Sequence, residues 1–166
     1  MKSLRDMPPQ YQALFHQFLA MARINFSRPE GLLPVFVIGS SLTGKTQIVG
    51  AEFGTKADKE KVAATVRAVA KDAVADYLFF VSEGYSLKGD DAEEMLTGKY
   101  TSVVEHPNHV EVVTARFETL VGTWAAEAAI TRPLKLGPRE LSNWAFFDAG
   151  DSDGTFSNFL DRMSVN

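Results

Sequence analysis

The sequence predicts an α+β domain with a mostly antiparallel or mixed sheet. Two pairs of strand-like runs, at residues 33–53 and 109–131, are each joined by a short turn. Turns of that length connect antiparallel neighbours. A long amphipathic stretch at residues 58–76 and an N-terminal helical segment supply apolar stripes that need a sheet to cover. The reading is about five strands, one long helix packed on them and an N-terminal helix, in a single domain over residues 1–166.

In chain order, Pro8 and Pro9 suit a helix start, where a missing N–H costs nothing. Tyr11, Leu14, Phe15, Phe18, Leu19 and Ala22 then recur at helical spacing. The runs 33–38 and 47–53 are rich in Val, Ile and Phe, which favour strands. The polar segment between them has hairpin character. In the 58–76 helix, Val62, Val66, Val69, Ala70, Ala73 and Val74 form one stripe, predicted to pack on residues 77–81 and the later hairpin. Residues 77–81 lack polar relief and read as a strand buried on both faces. Residues 82–98 read as a long loop with a short helix at 92–96. The runs 109–118 and 123–131 alternate, and the link through Val121 and Gly122 makes them a hairpin. A turn at 133–138, a short strand at 144–147 and a short terminal helix at 156–163 complete the prediction.

Composition narrows the function classes. The net charge is −4 and the pI near 5.4, which argues against nucleic-acid or anionic-membrane binding, since both need a basic face. Twelve Phe residues imply a packed core. Cysteine is absent, so thiol catalysis, disulfides and Cys-based zinc sites are excluded. With no signal-peptide pattern and no apolar run long enough to span a bilayer, the expected location is cytoplasmic.

One motif matches fully. Gly39-Ser40-Ser41-Leu42-Thr43-Gly44-Lys45-Thr46 satisfies the phosphate-loop pattern, in which Lys45 would reach the phosphates and Thr46 a magnesium ion. That geometry needs a helix starting at Lys45 and Thr46. The following Gln47-Ile48-Val49-Gly50 opposes a helix through its glycine and β-branched residues, so a strand paired with residues 33–38 is predicted. His106, His109 and Glu111 are of the types that bind zinc, although a polar strand entry explains them equally simply. Asp148, Asp151, Asp153 and Gly154 only partly follow a calcium loop and read as a polar turn. Glu83, at the expected end of the buried strand, is the candidate acid or base. Its structural alternative is an ion pair with Arg116 or Arg132.

Residues 33–132 resemble a family of small, uncharacterised bacterial and phage proteins. The resemblance rests on Asp58-Lys59 at a helix start, Ser82-Glu83-Gly84-Tyr85 where the family has Ser-Glu-Ala-Trp, His106-Pro107 followed by Glu111-Val112, and Ile130-Thr131-Arg132. It implies no activity or site residue. It does imply a variable turn where residues 39–45 lie. The leading expectation is therefore a non-enzymatic binding or assembly domain of bacterial or phage origin, with a homodimer as one expected arrangement and no cofactor. The alternatives are an NTP-binding protein using residues 39–46 and a small hydrolase using Glu83 or the His106/His109 pair.

Overall fold

The computed structural model describes residues 3–51, 55–87, 89–100, 102–134, 136–148 and 159–160. Helix α1, Pro9–Phe26, carries a proline in its first turn and buries Tyr11, Phe15, Phe18, Leu19, Ala22 and Phe26. Strands β1, Val35–Gly39, and β2, Thr46–Gly50, pair antiparallel with Val37 opposite Ile48. The chain thus enters a strand at Thr46, as its composition predicts.

Helix α2, Lys56–Asp72, starts at Thr55, whose side chain accepts a hydrogen bond from Asp58 N at 3.1 Å. It ends at Asp72, four residues short of the predicted end at Asp76. Ala75 N donates to Ala70 O (2.9 Å) and Val74 N to Lys71 O (3.2 Å). This is the paired C-terminal closure in which the penultimate residue turns left-handed. Glycine usually fills that position; here it is Val74, at φ 50.

Strand β3, Tyr77–Ser86, is twice the predicted length. It pairs with β4, Val110–Thr119, all the way to Ser86 opposite Val110. The loop predicted over 82–98 is corrected accordingly: its first residues belong to the sheet. Helix α3, Gly89–Glu94, and a 3₁₀ turn at Met95–Thr97 follow, closed by Gly98 at φ 79. Strand β5, Gly122–Thr131, forms the expected hairpin with β4. Two short strands, β6 (Glu140–Leu141) and β7 (Ala145–Asp148), pair in turn with the outer edge of β5. The described residues hold seven strands rather than five, in the order β2-β1-β3-β4-β5-β6 with β7 also on β5, and every pairing is antiparallel.

The sheet separates two cores because successive side chains point to opposite faces. Helix α1 covers Val37, Tyr77, Phe79, Val81, Phe117 and Trp124. Phe15 stacks on Phe117 with ring centres 5.2 Å apart. Helix α2 covers the other face, where Ala63, Val66 and Ala70 meet Phe36, Ile38 and Leu78. It therefore packs on β1 and β3. The β4–β5 hairpin, predicted to lie under this helix, is covered by α1 instead.

Of the residues predicted as a terminal helix, only Phe159 and Leu160 are described, and both are buried on the α2 side. Their N–H groups donate to the two carboxylate oxygens of Glu118, at 3.1 and 2.9 Å. The Asp151, Asp153 and Gly154 turn lies outside the described residues. No described helix is long and apolar enough to cross a membrane.

Candidate binding site

Glu83 lies on the α1 face of the sheet, in line with Val81 and Tyr85. Arg116 is the cross-strand partner of Phe80 and so points to the opposite face. The expected pair with Arg116 is corrected by that alternation. Arg132 binds Glu111 instead, at 3.3 Å. The actual partner of Glu83 is Arg139, at 2.5 and 3.3 Å through both guanidinium nitrogens, with Leu32 N donating at 2.9 Å. The guanidinium also lies over the Phe26 ring, 4.6 Å from its centre. Gly31 passes so close that a Cβ there would sit 2.9 Å from Glu83 Oε2.

Burial pushes the Glu83 carboxyl up. The Arg139 and Leu32 hydrogen bonds and the charges of Arg139 and Arg132 outweigh it and hold the group below the usual carboxylate range. It is therefore an ionised anchor rather than a proton donor. The cleft beside it, between Tyr85 and Glu111, has a volume of about 150 Å³, below the ~300–1,000 Å³ typical of ligand pockets.

His106 and His109 do not converge with Glu111. His109 Nδ1 faces the His106 carbonyl at 2.7 Å, and Glu111 is taken by Arg132. His106, 1% exposed, instead meets α3: its Nε2 is 3.0 Å from Glu94 Oε2 and 3.8 Å from Asp91 Oδ1. Those three residues offer oxygen and nitrogen atoms within 4.8 Å of one another. Asn108 N, however, donates to His106 Nδ1 at 3.0 Å. A ring nitrogen that accepts a hydrogen bond carries no proton, so the proton of the neutral ring sits on Nε2 and is given to Glu94. With its Nε2 proton given to Glu94 and its Nδ1 lone pair taken by Asn108 N–H, His106 fastens α3 to the strand entry and does not present a metal ligand.

The phosphate-loop sequence forms a closed turn. Ser40 N donates to Lys45 O, Gly44 N to Ser40 O and Ser41 N to Asp76 Oδ1, at 3.1, 3.0 and 2.8 Å. Thr43 N reaches Ser40 Oγ at 3.4 Å, and Lys45 N reaches Thr43 Oγ1 at 3.3 Å. The N–H groups of Ser40, Ser41, Thr43, Gly44 and Lys45, which such a loop would aim at a phosphate, are spent inside the protein, and Lys45 and Thr46 are exposed on the turn. Gly39 has another reason to be there: a Cβ would lie 2.2 Å from the hydroxyl of buried Tyr77.

That turn forms one wall of a pocket of about 690 Å³, where α1, the end of α2 and the start of β3 meet. Asp76 organises its polar side. It accepts hydrogen bonds from Tyr11 Oη at 2.9 Å, from Ser41 N and from Ser41 Oγ. Its own N–H donates to Gly39 O. Burial, and then the hydrogen bond and charge of Asp76, push the Tyr11 hydroxyl up to about 12. Tyr11 is consequently a neutral donor throughout the physiological range.

The apolar side is made by Leu42, Val74, Ala75, Leu120, Phe159 and Leu160. Glu118 fixes the last two through its backbone hydrogen bonds. Leu42 and Val74 stand at the mouth, 95% and 81% exposed. Arg67 and Lys71, one helical turn apart on α2, form the basic rim, with Arg67 over the Phe159 ring at 4.9 Å.

Of the pocket residues, only Ser40, Ser41 and Leu42 stand out in the sequence, and those as part of the phosphate-loop pattern. Asp76 carried the one available signal of the pocket itself, a carboxylate between an apolar helix end and a buried strand. No known protein family matches the chain, and no characterised protein or solved structure matches it either.

Proposed function

We propose that the chain is a non-enzymatic binding domain and that it takes a small amphipathic molecule into the Asp76 pocket. The carrying observation is the pocket itself: about 690 Å³, walled by apolar side chains, with a hydrogen-bonded Tyr11–Asp76–Ser41 group on one side. Its size lies within the ~300–1,000 Å³ of small-molecule sites, and convergent polar groups on an apolar wall are their usual chemistry.

Val74 adds support. A β-branched residue at positive φ stores strain of about 1–3 kcal/mol, and such strain collects at functional sites. The binding reading is preferred to catalysis because each candidate for acid–base work is already committed. Asp76 is a hydrogen-bond hub, and Glu83 is held ionised by Arg139.

Titration with the neutral fluorophore N-phenyl-1-naphthylamine tests this reading. The account expects saturable binding at one site per chain. Leu42→Glu and Val74→Asp each place a charge at the mouth, where the native side chain is exposed. Each should weaken binding by about tenfold, equivalent to ~1.4 kcal/mol. Unsaturable binding, or affinity unchanged in both variants, contradicts the proposal.

A further inference from the structure

We infer that this chain forms a twofold dimer through β2, whose free edge pairs antiparallel with the β2 of a second copy and carries the sheet across the axis.

The two edges of the sheet are built differently. The β5 edge is blunted: the short strands β6 and β7 pair along it and bring the charged Glu140 and Asp148. The β2 edge, Thr46–Gly50, has no partner strand other than β1 among the described residues, and it carries no charge and no proline. Short strands, charge and proline are the devices that keep an exposed edge from pairing. Four of the five β2 residues are exposed, Ile48 by 66%.

The hydrogen bonds at the two ends of the hairpin fix which backbone groups are free. Ser40 N donates to Lys45 O at 3.1 Å and Ala51 N to Pro34 O at 3.0 Å. Bonded pairs alternate along an antiparallel ladder, so Lys45, Gln47, Val49 and Ala51 turn their N–H and C=O toward β1. Thr46, Ile48 and Gly50 turn theirs outward. A twofold axis at Ile48 sets Ile48 against its own copy and Thr46 against the Gly50 of the second chain. Every outward donor then meets an acceptor.

The side chains agree with this pairing. Ile48 lies opposite Val37 and so on the α1 face. On that face α1 turns one flank toward β6 and β7, where Arg23 donates to Leu141 O and Ser142 O and His16 meets Phe146. Its other flank, on the β2 side, carries the exposed Met21 and Ile24. Apolar surface therefore borders the free strand, and a second copy covers it with the same surface, uncharged against uncharged. An unrelated extended peptide would satisfy the backbone alone. Strand-addition sites for peptides gain specificity from pockets for alternate side chains, and neither pocket described above is lined by residues 46–50.

The chain has no cysteine, so a single Ile48→Cys substitution reports on the axis directly. Facing residues of a bonded antiparallel pair have Cα atoms about 5.5 Å apart, within reach of a short bismaleimide. Sedimentation equilibrium of the wild type should give twice the chain mass, and the reagent should convert most of the Ile48→Cys protein to a covalent dimer. Val121→Cys, also at an exposed position but on the β4–β5 turn, should stay largely uncross-linked. Ile48→Lys sets two like charges on the axis and should weaken dimerisation by about 100-fold or more. Ile48 is exposed in the single chain, so this variant should keep the wild-type circular dichroism spectrum. If it does not fold, the cross-linking result decides alone. A wild type that stays monomeric at every concentration overturns the inference. So does a dimer in which Ile48→Cys cross-links no better than Val121→Cys.

Discussion

At Val74 a β-branched side chain occupies the left-handed position that closes α2, with φ 50 and 81% of its surface exposed. The strain costs about 1–3 kcal/mol. Glycine there would relieve it at an entropic cost of about 0.5–1 kcal/mol. Val74→Gly should accordingly raise the unfolding free energy by about 1 kcal/mol in urea melts, and a loss of stability would show the position unstrained. Glu83 is the opposite case, a residue whose surroundings all favour its charged form. Glu83→Gln should lower stability at neutral pH by about 1–2 kcal/mol, since it weakens a charge-assisted pair and a hydrogen bond to Leu32. Because the folded carboxyl is held below its ordinary 4.5, the extra stability is present above about pH 4.5 and is lost as pH falls through the lower folded value. The variant should therefore show a shallower acid limb, and an unchanged limb would mean that Arg139 does not hold the carboxylate. That Glu83 needs a cationic partner was legible from its place after a buried strand. Which arginine it takes was not. Arg139 is 56 residues away in sequence, in a segment without periodicity, and Arg116 was excluded by a pleat that only the observed pairing of β3 and β4 reveals.

Among the elements, the turn between β1 and β2 shows how a sequence pattern and its physics part company. Residues 39–46 fit a phosphate loop letter by letter, yet the glycine and β-branched residues after Thr46 select a strand, and the turn closes on its own N–H groups. Gly39→Ala should cost about 1–3 kcal/mol, the usual range for overpacking, because the new methyl meets the ring and hydroxyl of Tyr77. Lys45→Ala, at an exposed side chain, should stay within about 0.5 kcal/mol of the wild type. If Gly39→Ala melts normally, Tyr77 is not where this account places it. The hairpins and both long helices were legible because apolar spacing fixes them. The second half of β3 was not, since Ser82, Glu83 and Gly84 lack the residue types that mark strands and owe their conformation to pairing with β4. The end of α2 was overrun for a related reason: Val74 continues the apolar stripe but breaks the helix.

Over the whole molecule, the sheet holds α1 on one face and α2 on the other, and the pocket opens where both helices pass the β1–β2 turn. Its residues come from five separate stretches, around Tyr11, Ser41, Asp76, Leu120 and Leu160, so no local spacing could announce it. The antiparallel hairpins β1–β2 and β4–β5, by contrast, follow from short connections, whereas the pairings of β3 with β1 and β4 span helices, and the sequence leaves the sheet mostly antiparallel or mixed. The central claim is that ligand enters this junction and not the Glu83 cleft at the far end of β3. Its most direct measurement is an amide chemical-shift titration of the labelled protein with N-phenyl-1-naphthylamine. The account predicts saturable shifts at Tyr11, Ser41, Leu42, Lys71, Val74 and Asp76, with the amides of Glu83, Tyr85 and Glu111 unmoved. Shifts centred on Glu83 and Glu111, or none that saturate, would contradict it.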